Sequence, residues 1–281
     1  MSLMKIKEAL QIAKNEIHQK GLEENAGLLL VEHLSGINNR TELFLKMDES
    51  CIDEQLFYTQ LQRYLNGEPM QYVLNRAWFL NEEYYVDSRV LIPRMETEEL
   101  VLKAIEILKT LKHPLIFDVC TGSGCIAISL KKHVSDIHIM ASDISRSAIE
   151  VAKMNQERLL VDDIEWLVSD LFQNYPAMKA DLIISNPPYI DAAEKINELV
   201  LKNEPYIALV PPSGNGLEMY EKLFKELPSH LKEGGYFMAE FGYQQKDELE
   251  KMVKKYLPSS KIEFYKDISN KDRYFVLRYF E

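Results

Sequence analysis

Apolar residues recur three and four apart through most of the first 75 positions, the spacing that lines side chains along one helix face. Leu3, Ile6, Leu10, Ala13 and Ile17 form one such stripe, closed by Gly21, a residue suited to the turn that ends a helix. Ala26, Leu29, Leu30, His33 and Leu34 form a second before Ser35-Gly36. Thr41 stands at the cap position of a short helix through Leu45, and Ile52, Leu56, Leu61, Tyr64 and Leu65 form a third stripe before Asn66-Gly67. Short connections between stripes predict a small helical bundle over residues 1–75. His33 lies among apolar neighbours and reads as a packed residue rather than a metal ligand.

The period changes over residues 76–93. Trp78, Phe79, Tyr84, Tyr85, Val86, Val90 and Leu91 are strand formers around the polar Asn81-Glu82-Glu83, which predicts a β-hairpin linking two domains. Helical spacing returns over residues 97–112 through Val101, Ile105 and Leu108. From residue 114 strand and helix alternate. Strands are expected at Leu115–Cys120, Ile137–Ser142, Ile164–Val168, Asp181–Ser185 and Tyr236–Phe241, and helices at Ile126–His133, Ala148–Leu159 and 244–256. Two closing strands, Lys261–Tyr265 and Tyr274–Tyr279, flank Asp267–Asp272. Strands separated by helices imply a parallel sheet covered on both faces, and the last close pair an antiparallel edge. The chain is therefore read as α/β, with residues 94–281 as the larger domain.

Composition narrows the class. The 281 residues are 46% hydrophobic and 27% charged, with no apolar run near the ~18 residues of a membrane span. The formal net charge is -11, and both halves are acidic: residues 1–75 carry 7 Lys/Arg against 11 Asp/Glu. Proteins that grip a nucleic-acid backbone concentrate basic residues instead. Cys51, Cys120 and Cys125 are odd in number and lack a second ligand pair at metal spacing, so they read as free thiols in a reducing, cytoplasmic setting, with no metal centre.

Four segments carry chemistry. Asp118-Val119-Cys120-Thr121-Gly122-Ser123-Gly124 closes a strand and opens a helix. Its glycines let backbone approach a ligand, and ligands of such sheets bind beyond the carboxyl ends of the strands. Asp143, at the end of the next strand, is placed to accept hydrogen bonds from two ribose hydroxyls; a dinucleotide enzyme shows the same acid, and Ala127 at the third glycine position is tolerated there. Asp170-Leu171 ends the third strand, where an adenine edge can rest, although Asp170 alone reads as a loop cap. Asn186-Pro187-Pro188-Tyr189 follows the apolar Leu182-Ile183-Ile184. Its prolines stiffen the loop and remove N–H donors, Asn186 offers an acceptor and donors, and Tyr189 a flat ring. Such a pair of rigid acceptors suits a planar NH2 group.

With these motifs in order, the chain resembles the class I S-adenosylmethionine methyltransferases, and more narrowly the HemK/PrmC family of peptide-chain release factor glutamine N5-methyltransferases. The resemblance covers nearly the whole chain. It is carried by Gly67-Glu68-Pro69-Met70-Gln71-Tyr72, Leu91-Ile92-Pro93-Arg94-Met95-Glu96-Thr97-Glu98, Glu204-Pro205, Ala208-Leu209, Gly216-Leu217, Tyr220, Glu240-Phe241-Gly242 and Asp267 with Asp272-Arg273. Cys120 stands where the family usually has Gly, Met95 where it usually has Pro, and the Gly-rich stretch reads Pro211-Pro212-Ser213-Gly214-Asn215.

The resemblance implies a Rossmann-like seven-stranded class I methyltransferase sheet with a small N-terminal helical bundle. It implies S-adenosyl-L-methionine as cofactor, with S-adenosyl-L-homocysteine as product, held by Cys120, Thr121, Gly122, Ser123, Gly124, Asp143, Leu171 and Asn186. Asn186, Pro187 and Tyr189 are the implied catalytic residues, and Asn186, Pro187, Pro188 and Tyr189 bind the substrate. The acceptor is the glutamine amide of a release factor's Gly-Gly-Gln motif, docked in part by residues 1–75, with the enzyme a monomer that takes no nucleic-acid substrate. For Arg94, Glu96, Thr97 and Glu98, a Thr97 helix cap with exposed acids stands beside direct contact with the site. The competing readings are a nucleic-acid exocyclic-amine N-methyltransferase and a non-catalytic binding protein of the same fold.

Overall fold

The computed structural model describes residues 2–37 and 39–281. Its contacts divide the chain into two units, Met1–Arg76 with Glu198–Asn203, and Ala77–Asn197 with Glu204–Glu281.

The first unit runs β1 (Leu3–Lys5), α1 (Ile6–Gln19), α2 (Asn25–Ser35), α3 (Arg40–Leu45), β2 (Ser50–Asp53), α4 (Glu54–Leu65) and α5 (Met70–Val73). Ile6, Ala9, Ala13 and Ile17 form the buried stripe of α1 and pack with Leu30 and Val31 of α2 and Phe57 and Leu61 of α4. The expected helical stripes need three corrections. Leu3 and Ile52 belong to strands, not helices: β1 pairs antiparallel with β2, Met4 opposite Ile52. Strands of three and four residues are too short to display a period of two, so both residues fell in with the helical spacing beside them. The cap of α3 is Asn39, whose side chain accepts from Glu42 N at 3.1 Å, rather than Thr41. Asp53 caps α4 by accepting from Leu56 N at 2.8 Å, which leaves Leu56 on the exposed side.

The second unit opens with a hairpin, β3 (Ala77–Phe79) and β4 (Glu82–Tyr84). Leu80 and Asn81 both have positive φ, 46° and 63°, the geometry of a two-residue turn matched to strand twist. Glu98 supports this turn by accepting from Leu80 N at 2.9 Å. Phe79 and Tyr84 are fully buried in this unit's core, and the Tyr84 hydroxyl meets Ser129 at 2.8 Å. The hairpin therefore packs as part of this core rather than standing apart as a connector. Val86, Val90 and Leu91, grouped with the strand formers in sequence, lie outside both strands.

After it come α6 (Met95–Leu108), β5 (Leu115–Val119), α7 (Cys125–His133), β6 (His138–Asp143), α8 (Arg146–Arg158), β7 (Ile164–Val168), β8 (Ala180–Ser185), then α9 (Glu198–Asn203), which belongs to the first unit, and, again in the second, a 3-10 turn at Tyr206–Ala208, α10 (Glu218–His230), β9 (Leu231–Glu240), α11 (Lys246–Tyr256), β10 (Lys261–Lys266) and β11 (Asp272–Arg278). Seven strands form one sheet in the order β10-β11-β9-β8-β5-β6-β7. Pairings from β9 through β7 are parallel, and β11 is antiparallel to both β9 and β10. This is the seven-stranded sheet, with its antiparallel edge, that the class I resemblance implied.

Alternate residues of each strand point to opposite faces. Ile116, Leu182, Ile184 and Met238 face α6 and α7 in one cluster, while Phe117, Ile183, Phe237 and Phe275 face α10 and α11 in the other. Burial on both faces explains the apolar stretches Leu115-Ile116-Phe117 of β5 and Leu182-Ile183-Ile184 of β8. Among the described residues, no helix is long and apolar enough to cross a membrane.

Candidate active site

Strand order reverses between β5 and β8, which lie side by side with Val119 opposite Ser185. At such a switch point the loops leaving the two strands diverge and open a crevice. The loop after β5 begins at Cys120 and the loop after β8 at Asn186, so topology alone brings the glycine loop and the Asn-Pro-Pro-Tyr loop together.

The glycine loop bends sharply. Cys120, Gly122 and Gly124 have φ of 64°, 55° and 80°. For Cys120 this left-handed backbone costs about 1–2 kcal/mol. Asp118 holds the bend from inside the sheet: fully buried, its Oδ2 accepts from Thr121 Oγ1 at 2.5 Å and from Ala127 N at 3.1 Å. Burial pushes its carboxyl up to about 7, against those two bonds. Asp118 Oδ1 has no partner among the described residues.

Asp143, at the end of β6, accepts from Gly122 N and from Ser145 N, each at 2.9 Å. Burial raises its carboxyl from the usual range and the backbone donors oppose the rise. A Cβ on Gly122 would meet nothing within 4 Å, so its backbone borders open space. Gly124 differs: a Cβ there would press on Trp166 at 2.9 Å and Ala152 at 3.0 Å, so this glycine serves the packing of α7. Leu171 is buried with φ of 47°, its carbonyl accepting from Ser169 Oγ at 2.8 Å. Among the described residues the Asp170 carboxylate accepts one long 3.5 Å bond, from the Gln173 side chain, as a loop acid does.

On the acceptor side the structure settles the position of Thr97. It is no helix cap: α6 starts at Met95 with Arg94 as the preceding residue. The buried Thr97 hydroxyl donates to Glu240 Oε2 at 2.6 Å and accepts from Asn186 Nδ2 at 3.1 Å. The other Glu240 oxygen accepts from the Tyr189 hydroxyl at 2.9 Å. Glu240 ends β9 and is 2% exposed; burial raises its carboxyl, while Thr97, Tyr189 and Arg273 pull it down. Burial and the facing Glu240 charge likewise raise the Tyr189 phenol.

The loop is pinned elsewhere too. Gln245 Nε2 donates to the Tyr189 carbonyl at 2.8 Å. A Cβ on Gly216 would collide with that carbonyl, so the close approach needs glycine. Arg94 also has a fixed partner: its guanidinium donates to Glu204 Oε1 at 2.5 Å, and Ile92 N donates to Oε2 at 3.1 Å. Of the acids expected to be exposed, Glu98 is thus engaged by the hairpin turn, and Glu96 is half-buried.

One cavity of about 360 Å³ lies over these loops, within the usual range for small-molecule sites. Cys120, Thr121, Gly122, Ser123, Asp143, Leu171, Asn186 and Pro188 line it, as do Arg94 and Thr97. Gly124, Pro187 and Tyr189 do not: Gly124 packs beneath, Pro187 is buried, and the Tyr189 ring packs on the cluster beneath α10 and α11. The role of Glu240 escaped the sequence reading. Its signals are the Glu240-Phe241-Gly242 segment that carries the family resemblance and an acid closing an apolar strand, Phe237-Met238-Ala239-Glu240, with no neighbouring base to neutralise it.

Comparison with known proteins agrees across the chain. The model of the PrmC N-terminal domain matches residues 8–74, and that of the methyltransferase small domain residues 98–203. The release factor glutamine methyltransferase of Bacillus subtilis (strain 168) is 33% identical over 276 residues, covering 95% of each chain. That of Staphylococcus aureus (strain NCTC 8325 / PS 47) is 33% identical over 278 residues, covering 96% of this chain and 98% of the relative. A solved methyltransferase from Pyrococcus furiosus shares the fold, with a TM-score of 0.52 and 16% identity over 79% of this chain and 98% of that one. Full-length likeness at this identity, on a methyltransferase sheet, places the chain in the release factor glutamine methyltransferase family.

Proposed function

We propose that the protein transfers a methyl group from S-adenosyl-L-methionine to the side-chain amide nitrogen of the glutamine in the Gly-Gly-Gln motif of peptide-chain release factors. The observation that carries this reading is the convergence of the glycine loop, Asp143, Leu171 and Asn186 on one cavity. The residues fit the cofactor. Gly122 leaves open space at its Cα, and Asp143 is held by two backbone donors with lone pairs to spare for ribose hydroxyls. Buried Leu171 offers an apolar rest for adenine. Cys120, Thr121, Ser123 and Gly124 complete the loop that cradles the methionine end.

When bound, the cofactor supplies a sulfonium methyl, a strong electrophile with a good leaving group. An amide nitrogen is a poor nucleophile because its lone pair is delocalised into the carbonyl. The chain therefore acts by position and electrostatics. Asn186 Oδ1 and the Pro187 carbonyl accept the two amide hydrogens and stabilise the charge that grows on nitrogen as the bond forms. Pro188, which lines the cavity, gives the amide a flat neighbour, and Tyr189 holds the loop in place through Glu240. No strong base is needed beforehand, since the amide proton becomes acidic only as the new C–N bond forms and then leaves to solvent. Residues 1–75 dock the body of the release factor, and the enzyme works as a cytoplasmic monomer.

Incubation with methyl-labelled cofactor, purified release factor, and DNA and RNA in parallel tests the substrate class. Label in the release factor alone is the expected result; label in a nucleic acid, through an exocyclic base amine, contradicts it.

A further inference from the structure

The acceptor loop carries a chain of hydrogen bonds with a single polarity. Glu240 is buried at the end of β9, and both its oxygens accept, one from Tyr189 and one from Thr97. A threonine hydroxyl has one proton. With that proton committed to Glu240 at 2.6 Å, Thr97 Oγ1 can only accept from its other neighbour. Its other neighbour is Asn186, 3.1 Å away, which must therefore turn its NH2 end inward. The amide oxygen of Asn186 is then the end left for the cavity that this residue lines.

We propose that Thr97, anchored by Glu240, is a positioning residue for methyl transfer: it fixes which end of the Asn186 amide meets the acceptor nitrogen. The inference rests on Asn186 accepting a hydrogen from the substrate amide, as above. An Asn amide has two ends of nearly equal shape, and a flip would present NH2 to an incoming NH2. Two donors would then face each other, and the charge growing on the acceptor nitrogen would lose its stabilising oxygen. Nothing else bonded to Asn186 side-chain atoms among the described residues selects between the two ends. The anchor is itself braced: the Tyr220 hydroxyl donates to the Glu240 carbonyl at 2.6 Å, and Arg273, held by Asp267 at 3.0 Å, offsets the buried charge.

The test uses full-length protein, purified release factor and S-adenosyl-L-methionine. Thr97→Val keeps the shape and removes the hydroxyl. It should lower kcat by about tenfold to a hundredfold, the scale of a lost alignment, while cofactor affinity stays within about twofold. Thr97→Ser restores the hydroxyl and should bring kcat back to within about threefold of wild type. Thr97→Ala provides the same comparison should the valine variant fail to fold. Wild-type kcat in a folded Thr97→Val or Thr97→Ala variant overturns the proposal. So does a Thr97→Ser variant as impaired as Thr97→Val, since the restored hydroxyl would then rescue nothing. A wild-type enzyme that leaves the release factor unmodified instead refutes the underlying function, so the two failures are distinguishable.

Discussion

Asn186 is the residue on which the proposed chemistry turns, and its surroundings say what its loss should do. Among the described residues its side chain bonds to Thr97, not to the glycine loop of Gly122 or to Asp143 at the end of β6. Asn186→Ala should therefore cut kcat by about a hundredfold to a thousandfold, the usual effect of deleting one preorganised stabilising group. Cofactor affinity, read by calorimetry, should change little; an equal loss in binding would place Asn186 in the cofactor site first. Asp118 carries a second expectation, for stability. Its carboxyl sits at about 7 when folded against 3.8 as the reference value, because burial disfavours the charge. A raised carboxyl means that the folded state keeps a proton that the unfolded state releases. The contribution is fully present below about pH 4 and is lost as the pH rises toward 7, by at most about 1.4 kcal/mol per pH unit. Asp118→Asn should flatten that part of a denaturation series from pH 4 to 8, and an unchanged slope would count against it. Asn186 and Asp143 were legible in sequence because each closes an apolar strand beside a distinctive loop. The bond between Thr97 and Glu240 was not, although both lie in segments that carry the family resemblance, because 143 positions separate them and only the packing of α6 on the sheet brings them together.

The turn that starts α7 shows how an element positions the site. Gly124 combines a φ of 80° with a crowded Cα, where Trp166 and Ala152 leave no room for a methyl group. Gly124→Ala should cost about 1–3 kcal/mol through strain and overpacking together. Urea denaturation reads this directly, and a neutral result would mean that Trp166 moves aside freely. Elements of the sheet were readable from sequence because parallel strands buried on both faces give continuous apolar runs, as in Leu182-Ile183-Ile184. α10 was not delimited from periodicity, although Met219, Tyr220, Leu223, Phe224 and Leu227 stand at helical spacing. Pro228 lies in the last turn of that helix, where it removes one helical hydrogen bond, and the helix ends two residues later at His230. The small β1–β2 pair was missed for the opposite reason, having too few residues to show a period at all.

For the whole molecule, the division into two units with separate cores gives a prediction about docking. Deleting residues 1–75 should leave transfer to a free Gly-Gly-Gln peptide far less affected than transfer to an intact release factor. Peptide and protein losing rate in equal proportion would exclude a docking role for that unit. The acidic balance, a formal net charge of -11, is consistent with a protein rather than a polyanionic substrate. Family membership and fold converge on the same activity, so the central claim comes down to the atom that receives the methyl group. The most direct measurement is fragment-ion mass spectrometry of a release factor after incubation with the enzyme and S-adenosyl-L-methionine. One added methyl on the side chain of the Gly-Gly-Gln glutamine, absent with Asn186→Ala, is the predicted result. An unmodified glutamine, or a methyl group placed on any other residue, would contradict the account.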